Sequence, residues 1–130
     1  MQLKESIRNT QLDDIEAAAG VSAKLYLRTA AAADCAAADA GALLATLTLP
    51  VDWMQAAAGG IKLKSVAAWA DVGTGVGVCI AFRIKDNGAA ACYLQGTAGL
   101  GAGELSFDNN NIAVGQAITI ATFTLTAGNA

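Results

Sequence analysis

The sequence predicts an all-β protein, a β-sandwich or jelly roll of about eight antiparallel strands preceded by one N-terminal amphipathic helix. Three observations predict it. The apolar period changes from 3.6 to 2 after Gly20. Short alternating runs then follow one another with Gly, Asn, Asp or Pro between them. Val76, Val78, Ile80, Phe82 and Ile84 form an alternating stripe that runs straight into the turn signal Asp86-Asn87-Gly88.

Residues 2–19 read as a helix because Leu3, Ile7, Ile15 and Ala18 follow one stripe, with Leu12 at its margin and Asp13 on the far side. Gly20 is the expected stop, since glycine accepts the left-handed conformation that closes helices. Residues 1–20 thus make a helical arm, and 21–130 a single β-sandwich domain. Lys24 to Arg28 alternates as a half-buried strand, and Thr29 to Gly41 reads as an irregular alanine-rich loop. Leu43 to Leu49 is a strand with Leu43, Leu47 and Leu49 on one face, ended by Pro50. Asp52 is placed to cap a helical turn at Trp53-Met54-Gln55.

Ile61 to Trp69 reads as a long strand and Gly73-Thr74-Gly75 as a turn. The hairpin after Lys85 is expected to use a three-residue loop with Gly88 in the left-handed position, which sets Phe82 opposite Cys92 and Ile80 opposite Leu94. Gly96 to Gly103 reads as a glycine-rich connection, Leu105 to Phe107 as a short strand and Asp108 to Asn111 as a turn. In the closing strand Ile118 and Ile120 share a face, but Phe123 and Leu125 are offset by an odd number. A bulge or a change of sheet near Ala121-Thr122 would let both pairs point inward. This threonine-rich strand reads as an edge.

Composition narrows the function. The 130 residues contain no histidine, which removes Ser-His-Asp and Cys-His catalysis and most transition-metal sites. A net charge of −3 without a basic face argues against nucleic acid. No apolar run is long enough for a membrane span, and the polar start carries no secretory pattern, so synthesis in a cytoplasm is expected. Cys35, Cys79 and Cys92 are odd in number and lack metal-site spacing, so they are expected as buried or half-buried free thiols.

The glycine runs Gly73 to Gly77 and Gly99 to Gly103 lack the following helix of a phosphate-cradling loop and read as turns. Asp108 to Asn111 lacks the spacing of a calcium loop, and Asp13, Asp14 and Glu16 read as a solvated helix face. Trp53 and Trp69 are expected as core anchors. No catalytic, cofactor-binding or metal-ligating residue is assigned. Charged residues make up only 15% of the chain against about 25% in ordinary domains, a surface suited to packing among copies of itself or against a scaffold.

Three stretches carry a resemblance. They are Leu3-Lys4-Glu5-Ser6-Ile7-Arg8-Asn9-Thr10-Gln11-Leu12-Asp13-Asp14-Ile15-Glu16, Cys35-Ala36-Ala37-Ala38-Asp39 running into Leu43 to Met54, and Asp108 to Ala130. Together they resemble small structural proteins encoded among the virion genes of tailed bacteriophages. The resemblance implies a non-enzymatic particle component, foremost a capsid decoration or cement protein. Its partners would be itself, as a homo-oligomer with a trimer favoured, and the major capsid or other virion proteins. It implies residence in the virion, at the head rather than the tail. The contact elements would be the arm, through Leu3, Ile7, Leu12 and Ile15, and residues 117–126, through Ile118, Ile120, Thr122 and Thr124. The alternatives are a tail, collar, baseplate or fibre component, or a host-surface domain that binds carbohydrate through exposed aromatic residues.

Overall fold

A computed structural model describes residues 1–101 and 103–127. Ala102, in the second glycine run, and residues 128–130, the end of the last resembling stretch, lie outside the described residues. The fold is mostly β, with helix α1 (Glu5–Ala19) followed by β1 (Lys24–Arg28), β2 (Leu43–Thr48), β3 (Ile61–Leu63), β4 (Ala70–Val72) and β5 (Gly77–Val78). Then come β6 (Ala81–Lys85), β7 (Cys92–Leu100), β8 (Leu105–Phe107), β9 (Asn111–Ile112) and β10 (Ala117–Thr126). One curled mixed sheet runs β2-β1-β6-β7-β8-β10-β3, with β4 also on β10, and β5 pairs β9 separately.

Alternation places Leu25 and Leu27 inside, as read. In β2 a bulge sets Leu27 opposite Ala45 and Arg28 opposite Leu43, so Leu44 and Ala45 are both buried while Leu43 is only half-buried. The amides of Thr74 and Gly75, just beyond β4, donate to the Leu44 carbonyl at 2.8 and 3.1 Å. That seam brings the two ends of the sheet together. Inside, Trp53, Trp69, Phe123 and Phe82 touch in series, with centroids 6.1, 5.3 and 5.4 Å apart. Both tryptophans are core anchors, as expected.

Several expectations are corrected. The helical turn at Trp53-Met54-Gln55 is extended instead: Met54 bridges Lys64, and the Gln55 amide donates to Leu63 O at 2.8 Å. The buried Trp53 indole donates to Gly20 O at 3.0 Å, so ladder and core contacts override the local capping signal. The long strand from Ile61 is broken into β3 and β4, both on β10. β10 is therefore no edge. It pairs β8 on one flank and β3 and β4 on the other, and its register shifts between Ile120 and Thr122, so of the two devices the sequence allowed there, a bulge or a change of sheet, it uses the bulge.

The β6–β7 hairpin is longer than read. Phe82 faces Gly96 and Ile84 faces Leu94, and a further shift sets Lys85 opposite Cys92. Asp86 organises the loop: its Oδ1 accepts from the amide of Ala90 at 2.7 Å, and its carbonyl accepts from Ala89 at 2.9 Å. Ala89, not Gly88, takes the positive φ. Gly96 is required in this register, since a Cβ there would lie 2.9 Å from the Phe82 ring. The expected connection from Gly96 is thus largely strand.

The sheet is not wholly antiparallel, because β8 runs parallel to β7, with Ala98 opposite Leu105. Parallel neighbours usually need a long crossover; here the chain returns within a few residues. Gly101 and Gly103 adopt positive φ, and the Glu104 carboxylate accepts from the amide and hydroxyl of Thr97. Those Thr97 bonds, working against burial, hold the Glu104 carboxyl below its ordinary range.

Candidate functional site

The helix docks through polar groups rather than through the stripe read from the sequence. Leu12 and Ala19 are buried, whereas Ile7 is 48% exposed and Ala18 is exposed. Around Leu12, one side chain per turn accepts an amide of the segment 54–60. Glu16 takes Met54 at 3.2 Å, Asp13 takes Ala57 at 3.0 Å, Asn9 takes Gly60 at 2.8 Å and Glu5 takes Gly59 at 3.2 Å. These acceptors stand where a neighbouring strand would otherwise satisfy the amides. Asp13 stays exposed, yet it lies against this segment rather than on the far side of the helix. It and Glu16 also hold Lys62, which is 2% exposed while its neighbours Ile61 and Leu63 point outward.

On the opposite flank of the sheet, the irregular loop 29–41 covers β1, β6 and β7. Its base closes where the Thr29 amide donates to Ala42 O at 3.1 Å and the Ala42 amide to Thr29 Oγ1 at 2.8 Å. It is an Ω-like flap. Three restraints hold it down. Gln95 Nε2 donates to Ala32 O at 3.0 Å and an Arg83 guanidinium nitrogen to Asp34 O at 2.5 Å. Asp39 pairs with Arg28, Arg83 and Lys85 at 3.1, 2.8 and 3.0 Å. Cys35 is disulfide-bonded to Cys92 of β7. Burial disfavours the Asp39 charge, but the hydrogen bonds from Lys85 and Arg83 prevail and hold its carboxyl below the ordinary value.

The disulfide corrects the expectation of three free thiols. Among the described residues only Cys79 is free, and burial pushes its thiol up to about 11. The partners Cys35 and Cys92 are far apart in sequence, so spacing alone could not pair them. The Asp39 cluster escaped sequence reasoning too. Its signal was the placement of Lys24, Arg28, Arg83 and Lys85, four of the eight basic residues, on two strands that turn out to be neighbours.

Between flap and sheet lies a cavity of about 150 Å³, walled by Ala30, Ala32 and Ala40 on one side and by Arg28, Ala81 and Gln95 on the other. Its lining is mainly apolar. Among the described residues no group of His, Cys, Asp or Glu is placed to hold a metal ion, and no helix is long and apolar enough to cross a membrane.

The expected contact residues separate. Leu12, Ile118 and Ile120 are buried in this chain's own interior, so they offer nothing to a partner. Leu3, Ile15 and Thr124 are half-buried, and Ile7 and Thr122 are exposed, the latter sharing a hydrogen bond with Ser106. An apolar surface appears elsewhere, in the stripe the sequence placed inside: Val76, Val78 and Ile80 are 71, 50 and 50% exposed, while Phe82 and Ile84 are buried. The break comes after Ile80, where the chain enters β6 and Ala81, Phe82, Arg83 and Ile84 are all buried.

Comparison with protein-family models, curated proteins and solved structures finds no match to this chain.

Proposed function

We propose that this chain is a non-enzymatic structural protein of a tailed-bacteriophage virion, a capsid decoration or cement protein that stabilises the head shell through multimeric contacts. The observation that carries the proposal is the exposed stripe Val76, Val78 and Ile80, set in a surface with little charge. Contiguous exposed apolar side chains mark interaction surfaces. Ile7 on the helix and Ile61 and Leu63 on β3 add further exposed apolar side chains. A homo-oligomer, with a trimer favoured, and the major capsid protein are the proposed partners.

The disulfide supports residence in a released particle, because such bonds persist in oxidising surroundings while the cytoplasm of synthesis keeps thiols reduced. The β-sandwich or jelly-roll reading belongs to the same proposal. Its support is the Phe82–Phe123 contact, through which β6 meets β10 across the interior of the curled sheet. A carbohydrate-binding role is less well supported, since both tryptophans are buried and a stacking platform would rest on Tyr26 and Tyr93.

The test joins solution mass to particle binding. The expected result is an assembly of about three 13.0 kDa chains that co-sediments with virions. Val78→Asp and Ile80→Asp should both reduce it to monomer. A monomeric parent that leaves particles unbound would end the proposal, and reconstruction of decorated particles separates head from tail, collar or baseplate positions.

A further inference from the structure

We propose that the cavity beneath the flap binds one neutral, apolar molecule about the size of a benzene ring. The size follows from the volume: about 150 Å³ is the space in which an apolar protein cavity takes up benzene or xenon. The chemistry follows from the walls. Ala30, Ala32 and Ala40 line the cavity from the flap and Ala81 from the sheet, so what a guest meets is mainly methyl groups.

The polar side chains of the wall spend their hydrogen bonds elsewhere. Arg83 donates through Nε to Gln95, and through its other nitrogens to Asp39 and to Asp34 O. Gln95 Nε2 is taken by Ala32 O, and the Thr97 hydroxyl by Glu104. Arg28 donates to Gly41 O and Asp39, and its unpartnered Nε is buried out of reach of the cavity. Charge calls for no counter-ion either, since Asp34, Asp39 and Glu104 balance Arg28, Arg83 and Lys85. A polar guest would lose water here without gaining a partner.

The cavity is also held open. An unfilled apolar space is costly, because the groups that line it lack neighbours on one side. The flap is nevertheless kept from collapsing into it at three points: the Cys35–Cys92 link, the Asp39 ion pairs and the bond from Gln95 to Ala32. A small, preformed, mainly apolar concavity is the usual form of a small-molecule site. It shares no lining residue with the stripe Val76, Val78 and Ile80, so this site and the assembly proposal stand or fall separately.

Benzene and its polar isostere pyridine are the probes, followed through the alanine methyl resonances of the intact, oxidised chain. Benzene should shift the methyls of Ala32 and Ala40 saturably at one per chain. Pyridine should bind at least about tenfold more weakly, because its nitrogen gives up water and meets no free donor. Ala81→Leu, filling the cavity from the sheet, should abolish benzene binding; Ala32→Leu fills it from the flap and serves if the sheet variant does not fold. Absence of saturable shifts, equal affinity for pyridine, or undiminished binding by a folded cavity-filling variant would each overturn the proposal.

Discussion

Lys62 Nζ lies 2.6 Å from Asp13 Oδ1, joining the inward-facing charge of β3 to the middle of helix α1. Glu16 Oε2 completes the site at 2.9 Å. Because Lys62 is buried and both partners sit on the helix, this cluster ties α1 to the sheet. Replacing Lys62 with Met should cost about 2 kcal/mol, since hydrogen bonds to charged groups are lost while the acids regain water. Asp13→Asn should cost less, because Asp13 is partly exposed and Glu16 still holds the lysine. Urea unfolding midpoints check both, and a Lys62→Met protein as stable as the parent would remove the docking role.

The same groups set the pH range of stability. Hydrogen bonds from Lys62 and then Ala57 lower the Asp13 carboxyl below 3.8. Asp39 is lowered despite burial. Groups depressed by folding contribute fully above their unfolded value and lose that contribution as pH falls through the folded one. For Lys62, burial is outweighed by Asp13 and Glu16 and the ammonium is raised above 10.5. Its contribution is complete below that value and lost as pH rises through the folded one. Thermal midpoints should therefore fall below about pH 4 and be flat from there to about pH 9, above which the unfolded chain ionises the Cys79 thiol that burial keeps protonated. Asp39→Asn should flatten part of the acid limb; an unchanged limb would show that Asp39 adds nothing.

Cutting the Cys35–Cys92 link should loosen the flap. The two positions are 57 residues apart, a loop whose closure stabilises by roughly 4 kcal/mol on chain-entropy grounds. Unfolding of the reduced protein, or of the Cys35→Ala, Cys92→Ala pair, measures it. Alkylation provides a second reading. In the reduced folded chain the first two thiols should be modified quickly, while Cys79 should react only on unfolding, because it is buried and its thiol is pushed up to about 11.

Gly75→Ala tests the closure of the curled sheet. A Cβ at Gly75 would run into the backbone oxygen of Leu43, which a rotamer change cannot relieve. The seam between the 74–75 turn and Leu44 should open at a cost of about 1–3 kcal/mol. Gly88→Ala is the matched control, because a Cβ there meets nothing within 4 Å. Equal melting of the two variants would show that the seam carries no strain-bearing contact.

What the sequence determined by itself was local and periodic. Leu25 and Leu27 alternate inward, Gly20 ends the helix, and the odd offset between Ile120 and Phe123 demands a break in phase, which β10 meets with a bulge rather than a change of sheet. Alternation reads correctly where a strand has one buried face along its length, because burial then rewards every second residue. It could not say that the stripe from Val76 to Ile84 would be half outside, since both halves obey the same period and only the entry of the chain into β6, covered on both faces, separates them.

Tertiary structure decided everything that depended on which distant segments meet. Lys62 is buried because α1 brings two acids to it, the flap is held because Asp39 reaches the cations of β6, and Cys35 finds Cys92 across the sheet. Each of these pairings joins groups more than forty positions apart. No local preference encodes such a meeting; it arises when the core closes and leaves those charges, amides and thiols with no other partners.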